Sequence, residues 1–334
     1  MTPPSESGRL SLGVPLSLSG KFARFGKQAR LGLEVWHSFQ DAVDLVIEDD
    51  QSNPNTLEDV LRRLSQRCDL LLGPYSTRLM RRAGDVAAAI DRLLWNHGGS
   101  GDDVEEAHPH HVVSVLTPTS RYAEPFIRHL GDSPEPLHLW IVQGKGSFGR
   151  QVAAGAEALA RSVGLPCTRL ATLPPEVPEP WSLFCAGAFE EDVEVVKQAQ
   201  AMETPPTEIC AVAAGVREFG EAVDDPEGIY GVGQWAPGAG HTAEIGISEH
   251  DFLACYEGHA LPDYPAVQAA AAATIATHCA RLAGSTERDA LWSAASALET
   301  VTLFGPFKID TRTGVQIGHQ AVLTRWAADG PTAV

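Results

Sequence analysis

The sequence predicts an α/β protein of two doubly wound lobes, each a parallel sheet covered by helices on both faces. Three observations carry this. Between residues 10 and 96, strand-length apolar stretches alternate with helix-length stretches of 3.6-residue period, the pattern that parallel strands with helical crossovers require. The alternation restarts near residue 137. The 334 residues also exceed the size at which one core usually divides.

Taken in order, Leu10, Leu12, Val14 and Leu16 alternate with Ser11, Gly13, Pro15 and Ser17, a strand period. The loop 19–26 leads into a helix with Ala29, Leu33 and Trp36 on one face. Residues 43–48 form the second strand. Asn53-Pro54 starts a helix, with Asn as N-cap and Pro at the first helical position, and Leu57, Val60, Leu61 and Leu64 complete its stripe. Residues 69–73 are the third strand. Leu79, Ala83, Val86, Ala87 and Ile90 stripe the next helix, and residues 93–96 are the fourth strand. A polar loop, 98–111, precedes a strand at 112–116. Thr117-Pro118-Thr119-Ser120 then opens a helix and marks the first passage between lobes.

The second series places strands at 137–143, 168–173, 208–213 and 229–234. Its helices lie at 150–163, 191–202 and near 217–223, with a proline-rich loop at 174–180. A glycine-rich connector, 235–246, follows. Three helices near 249–259, 264–283 and 288–298 precede closing strands at 304–310 and 316–326.

The net charge is −18, from 43 acidic and 25 basic residues. Such a surface repels phosphate backbones and anionic lipid, which argues against nucleic-acid or membrane-surface partners. No apolar run reaches the ~20 residues that span a bilayer. Residues 1–8 carry neither the basic nor the apolar region of a signal peptide. As written the chain reads as cytosolic, and as periplasmic or cell-surface if a leader precedes it. Six scattered cysteines form no C-x-x-C pair and read as buried, reduced thiols.

Two turns carry the functional expectation: Gly73-Pro74-Tyr75-Ser76-Thr77 and His97-Gly98-Gly99-Ser100. Each follows a strand, and ligands of open α/β sheets bind beyond the carboxyl ends of strands. Their hydroxyls and backbone N–H groups would make a small polar or anion-receptive pocket, without metal or cofactor. The rival is Gly144-Lys145-Gly146-Ser147-Phe148-Gly149, a G-x-G-x-x-G turn between strand and helix that suits a nucleotide-dependent enzyme. The acidic residue that a dinucleotide site needs about 20 positions on is missing. His108-Pro109-His110-His111 reads as a solvated loop and Asp49-Asp50 as a turn and capping device. No G-x-S-x-G elbow supports acyl transfer.

Together these segments resemble the type I periplasmic binding proteins, in the branch of the leucine/isoleucine/valine-binding protein and the cytosolic amide-binding regulator. The resemblance runs from about Arg9 to Trp326. It rests on Pro15-Leu16-Ser17-Leu18-Ser19-Gly20 with Phe25-Gly26-Lys27-Gln28, on Glu48-Asp49-Asp50 with Asn53-Pro54, and on Leu71-Leu72-Gly73-Pro74-Tyr75-Ser76. Gly98-Gly99-Ser100, Phe148-Gly149 and the hairpin Gly305-Pro306-Phe307 also match. It implies two lobes joined by three crossovers: residues 9–117 with 247–313, and 118–246 with 314–334. The ligand would lie in the cleft between them. It implies a non-enzymatic binder of a small polar molecule such as an amino acid, amide or urea, which closes by hinge motion. Partners would be an ABC permease for uptake or a regulatory protein for sensing.

By the same resemblance, Ser76, Thr77, Gly98 and Ser100 hold the ligand carboxylate, with Tyr75 and Gly99 in the same turns. Phe25 is an aromatic wall, Phe148 covers the ligand, and Val216 and Trp235 add contacts. Gln234 stands where amino-acid binders often place an acid for the ammonium, a departure that raises neutral ligands. Ser52 and Ser76 occupy positions that some relatives join by a disulfide, which agrees with a reducing compartment.

Overall fold

The computed structural model describes residues 9–133, 137–178, 180–256 and 261–334. Residues 1–8, Glu179 in the proline-rich loop and the end of the helix expected over 249–259 lie outside them. The chain divides into two compact units, Met1–Leu116 with Gly240–His319 and Thr117–Ala239 with Gln320–Val334, so the backbone passes between them three times.

The first unit alternates β1 (Leu10–Leu16), α1 (Ala23–Ser38), β2 (Val43–Asp49), α2 (Pro54–Ser65), β3 (Leu70–Leu72), α3 (Thr77–Ala89), β4 (Leu94–Asn96) and β5 (Val112–Ser114). All pairings are parallel, in the order β2-β1-β3-β4-β5. That order reverses between β1 and β3, the switch point at which such sheets bind ligands. Asn53 caps α2 by accepting from the Asn55 and Thr56 amides at 2.8 and 3.3 Å, and Leu57, Val60, Leu61 and Leu64 are buried as the stripe predicts.

The second unit contains α4 (Glu124–Gly131), β6 (His138–Gln143), α5 (Gly146–Ser162), β7 (Cys167–Leu170), β8 (Trp181–Ala186), α6 (Phe189–Gln200), β9 (Glu208–Ala211), the single-turn α7 (Phe219–Ala222) and β10 (Tyr230–Gly233). The chain then returns to the first unit through α8 (Glu249–Ala254), α9 (Tyr264–Ala283), α10 (Arg288–Ala297) and the hairpin of β11 (Thr300–Thr302) and β12 (Gly305–Phe307). It ends in the second unit with β13 (Val322–Ala327) and β14 (Gly330–Ala333). The second sheet runs β14-β13-β10-β9-β8-β6-β7, parallel except for the antiparallel edge of β13 and β14. Leu139 and Ile141 pack on one face with α4 and α5, and Val142 packs on the other with α6.

Three expectations are corrected. The sequence reading has no strand at Trp181–Ala186, yet β8 is central to the second sheet and buried at every residue. A strand covered on both faces shows no alternation, so its short apolar run lacks a period to read. Residues 240–246 and 314–319 belong to the first unit, not the second. Glu244 accepts from Thr300 Oγ1 and the Val301 amide, both at 3.1 Å, and Gln316 Nε2 donates to the Val115 carbonyl at 3.1 Å. The closing strands are also shorter than expected, with only an Ile309–Gln316 bridge between β12 and β13.

The alanine-rich α9 is buried along most of its length and packs on α1 so closely that a Cβ at Gly32 would lie 2.1 Å from the Ala266 carbonyl oxygen. Among the described residues, no helix is long and apolar enough to cross a membrane.

Candidate functional site

The site in the first unit is built where β1, β3 and β4 end. Asp49 and Asp50 shape the loop after β1. Asp49 accepts from the Leu18, Ser19 and Gln51 amides at 2.9, 3.2 and 2.8 Å, and from Ser19 Oγ at 2.7 Å. Burial works against its charge, but these bonds, led by that from Ser19, hold its carboxyl below the ordinary range. Asp50 accepts from Ser17 Oγ and the Ser52 amide, both at 2.7 Å, and burial raises its pKa. The pair serves as a turn device, as the sequence suggests, while the cap of α2 falls to Asn53.

That loop delivers Phe25 onto Tyr75, with ring centroids 4.5 Å apart and planes 13° from parallel. The Arg24 guanidinium lies over the Phe25 ring, 4.4 Å from its centroid. Tyr75 Oη meets Tyr264 Oη of α9 at 3.3 Å. Phe25, expected as an aromatic wall, lies stacked on Tyr75.

The turns after β3 and β4 are bonded to each other. The Gly73 amide donates to Trp95 O at 2.8 Å, the Ser76 amide to Gly98 O at 2.9 Å, and the Gly101 amide to Thr77 Oγ1 at 3.0 Å. A Cβ on Gly98 would lie 2.6 Å from Tyr75 Cα, so only glycine permits this approach. Ser76 has φ +90° and ψ 141°, a conformation that L-residues rarely adopt. Backbone strain of this kind costs about 1–3 kcal/mol and collects at functional sites.

Three hydroxyls gather at this corner. Thr77 Oγ1 accepts from Gly101, which leaves its own proton to donate. Ser76 Oγ accepts weakly from the Leu79 amide at 3.4 Å. The Ser100 amide and hydroxyl make no bond to the described residues. The corner sits at the N-terminus of α3, whose aligned peptide dipoles favour negative charge. These donors suit a carboxylate or another compact anion.

Two residues that sequence reasoning missed support the corner. Asn96 Oδ1 accepts from the Gly98 and Gly99 amides at 3.1 and 2.8 Å, and its Nδ2 donates to Gly99 O at 2.7 Å and to Ser114 Oγ at 2.6 Å. An Asn at a strand end before Gly-Gly is a turn signal that could have revealed it. Ser114 Oγ donates onward to the buried Glu105, whose carboxyl is raised to about 7 by burial in spite of that bond. Nothing in the polar run around Glu105 marks it as a core residue. His97 is also fully buried, neither ring nitrogen has a hydrogen bond of normal geometry, and burial pushes its pKa down to about 4 against the pull of the Gly73 backbone.

In the second unit, Phe148 opens α5, Val216 follows β9, and Gln234 and Trp235 follow β10, all beyond the carboxyl ends of parallel strands. Phe148 packs edge-on against Tyr122, 5.9 Å away at 79°. Val216 and Trp235 are buried, and Trp235 Nε1 has no hydrogen-bond partner. Gln234 differs from expectation: its Oε1 accepts from the Thr117 amide and its Nε2 donates to Thr117 O, both at 2.9 Å. Its amide is spent on the backbone where the chain enters the second unit.

The G-x-G-x-x-G turn is also spent. The Lys145 amide donates to both Glu191 carboxyl oxygens at 3.2 Å, and the Ala188 amide donates to Glu191 Oε2 at 3.0 Å. Asp192 takes the Gly187 and Ala213 amides at 2.7 and 3.0 Å. A pyrophosphate would have to displace Glu191 and face its charge. The histidines of residues 108–111 find separate partners: His108 meets Asp85 at 2.7 Å, His111 meets Pro109 O at 3.1 Å, and His110 packs at a tilt against Trp292.

Fold and corner together define a ligand-binding protein of the two-unit α/β kind. The periplasmic binding protein family profile matches residues 9–331. The chain belongs to that family, in its type I branch, and is a solute-binding protein rather than an enzyme. No curated protein sequence matches it. Among solved structures, a leucine-binding protein from Thermotoga maritima superposes with a TM-score of 0.81 at 14% identity over 97% of both chains. A substrate-binding protein from Desulfitobacterium hafniense, solved with leucine, gives 0.78 at 14% over 98% of this chain and all of that one (100%). A solute-binding protein from Rhodopseudomonas palustris, solved with 3,4-dihydroxybenzoic acid, gives 0.78 at 13% over 98% and 95%.

Proposed function

We propose that the chain captures a small organic acid for ABC-type uptake, with aromatic acids ahead of α-amino acids. The strained Ser76 turn carries this reading, because it holds Ser76 and Thr77 at the start of α3, where the Gly101 amide bonds Thr77 Oγ1 and brings the neighbouring Ser100 alongside. The ligand carboxylate would take those hydroxyls and the Ser100 amide, with the Gly98 and Gly99 amides held by Asn96 behind it. Phe25 and Tyr75 would wall its apolar part, and the second unit would offer Phe148, Val216 and Trp235 as apolar surface at its own strand ends. None of these contacts is an acid that could pair an α-ammonium, and Gln234 is committed to Thr117. Amides and ureas fit the same donors but lack the charge that strengthens such bonds.

A second output, ligand sensing through a regulatory partner, is favoured by one observation. All six cysteines are free, and Ser52 and Ser76 occupy the positions of the relatives' disulfide, as suits a reducing compartment.

A thermal-shift panel of benzoate, 4-hydroxybenzoate, leucine, acetamide and urea tests the reading. A ligand at 100 times its Kd adds about 2.7 kcal/mol to stability. A benzoate shift that exceeds leucine's is the expected result. A shift with leucine alone would overturn the ligand class, and no shift with any of the five would overturn the function.

A further inference from the structure

We propose that Glu105 is a positioning residue for ligand capture: through Ser114 and Asn96, its buried side chain fixes the backbone of the Gly98-Gly99 turn. This rests on the proposed role of that turn in holding the ligand.

The bonds run from Asn96 through Ser114 to Glu105. Asn96 is saturated, with two amides on Oδ1 and two acceptors on Nδ2. Ser114 Oγ therefore receives a proton from Asn96 and must give its own to an acceptor. Glu105 Oε1 is that acceptor. Ser114 is held in turn on β5, its amide donating to Gly314 O at 3.0 Å. Every member is buried, so no solvent competes for these bonds. Without the acceptor at 105, the Ser114 proton has no partner and Asn96 loses the fixed hydroxyl that holds its amide in place. The Gly98 and Gly99 amides then lose their anchor, although no ligand contact has changed.

A carboxyl in this position is costly, because Glu105 Oε2 is buried with no partner and Asp102 adds a like charge. Packing alone would be served better by a leucine.

The test compares Glu105→Ala, Glu105→Gln and Ser114→Ala in the ligand-free protein by amide hydrogen exchange. Glu105→Ala and Ser114→Ala should each speed exchange at Gly98 and Gly99 at least tenfold relative to Leu12 and Leu72, which report the core of the same unit. Glu105→Gln, which keeps an acceptor oxygen, should restore slow exchange. In titrations with 4-hydroxybenzoate and leucine, Glu105→Ala should raise Kd about tenfold, and Glu105→Gln should stay near wild type. Unchanged exchange in Glu105→Ala overturns the inference, as does failure of Glu105→Gln to rescue. If Glu105→Ala does not fold, Ser114→Ala decides by the same exchange criterion. Should neither probe bind the wild type while exchange responds as stated, the functional reading fails and the positioning role stands.

Discussion

The two sheets share one strand order, yet they finish their strand ends in opposite ways. In the first unit the order is β2-β1-β3-β4-β5, and in the second the parallel part runs β7-β6-β8-β9-β10. Met80 and Asp192 hold the same place, the fourth residue of the helix after the third strand of each unit. Asp192 accepts from Gly187 and Ala213, while Met80 packs its thioether where a Gly73 Cβ would lie. The second unit answers its strand-end amides with its own carboxyl groups. After β3 and β4 the first answers with neutral Asn96 and leaves hydroxyl donors over, while its carboxyl groups Asp49 and Asp50 serve the loops after β1 and β2. On the proposed reading one end is closed to an incoming anion and the other is receptive, although topology alone makes both look like ligand sites.

The largest effect should come from removing the internal carboxyl. Asp192→Ala strands two buried amides, which costs about 4 kcal/mol in urea unfolding at the usual penalty for unsatisfied buried donors. A loss below about 1 kcal/mol would mean that solvent already reaches these amides and that the second unit is not closed. Thr77→Val combined with Ser100→Ala should next weaken the best ligand of the panel about 100-fold by calorimetry, or about 3 kcal/mol, and should also cost about 1–3 kcal/mol of stability because the buried Gly101 amide loses Thr77 Oγ1. Equal affinity would move the receptive corner elsewhere.

The third prediction uses pH. Burial raises Glu105 to about 7 from an ordinary 4.5, so the folded state binds a proton that the unfolded state has released between those values. The stability this contributes is complete below pH 4.5 and is lost as pH rises through 7. Asp192, raised to about 7, behaves alike, whereas His97, held near 4, resists protonation and favours the folded state as pH rises toward 6.5. In urea titrations, Glu105→Gln should therefore gain on wild type between pH 5 and pH 7.5 by on the order of 2 kcal/mol. A difference that does not change with pH would show that Glu105 ionises freely.

The sequence made the first unit's scaffold legible because its helices carry a one-sided stripe and its strands end in turn residues. Leu57, Val60, Leu61 and Leu64 and the Asn53-Pro54 cap needed no tertiary information. β8 was illegible because burial on both faces erases the alternation that marks a strand. The two turns proposed to hold the ligand were legible as Gly-Ser-Thr clusters at strand ends. Their supports were not: Glu105 sits among acids and histidines that read as solvated, and only the close approach of β4 and β5 buries it. Gln234 could be placed on a strand end, but its pairing with Thr117 spans 117 residues, a separation that no local pattern encodes.

The smallest effect bears on the receptive end itself. Ser76 holds φ +90° because its amide must reach Gly98 O while its side chain faces the start of α3. Glycine adopts that backbone without strain, although it loses about 0.5–1 kcal/mol of chain entropy on folding. Relief of a strain of about 1–3 kcal/mol should leave Ser76→Gly more stable by about 1 kcal/mol, read as a raised urea midpoint with unchanged slope. The same change removes a hydroxyl donor, so the variant should gain stability and bind the ligand less tightly. A variant both more stable and equally tight would show that Ser76 contributes backbone shape alone. A less stable variant would show that the hydroxyl's contact with Leu79 outweighs the strain. The expected split would show that the first unit keeps a costly residue in order to leave a donor free, where the second unit has tied its donors down.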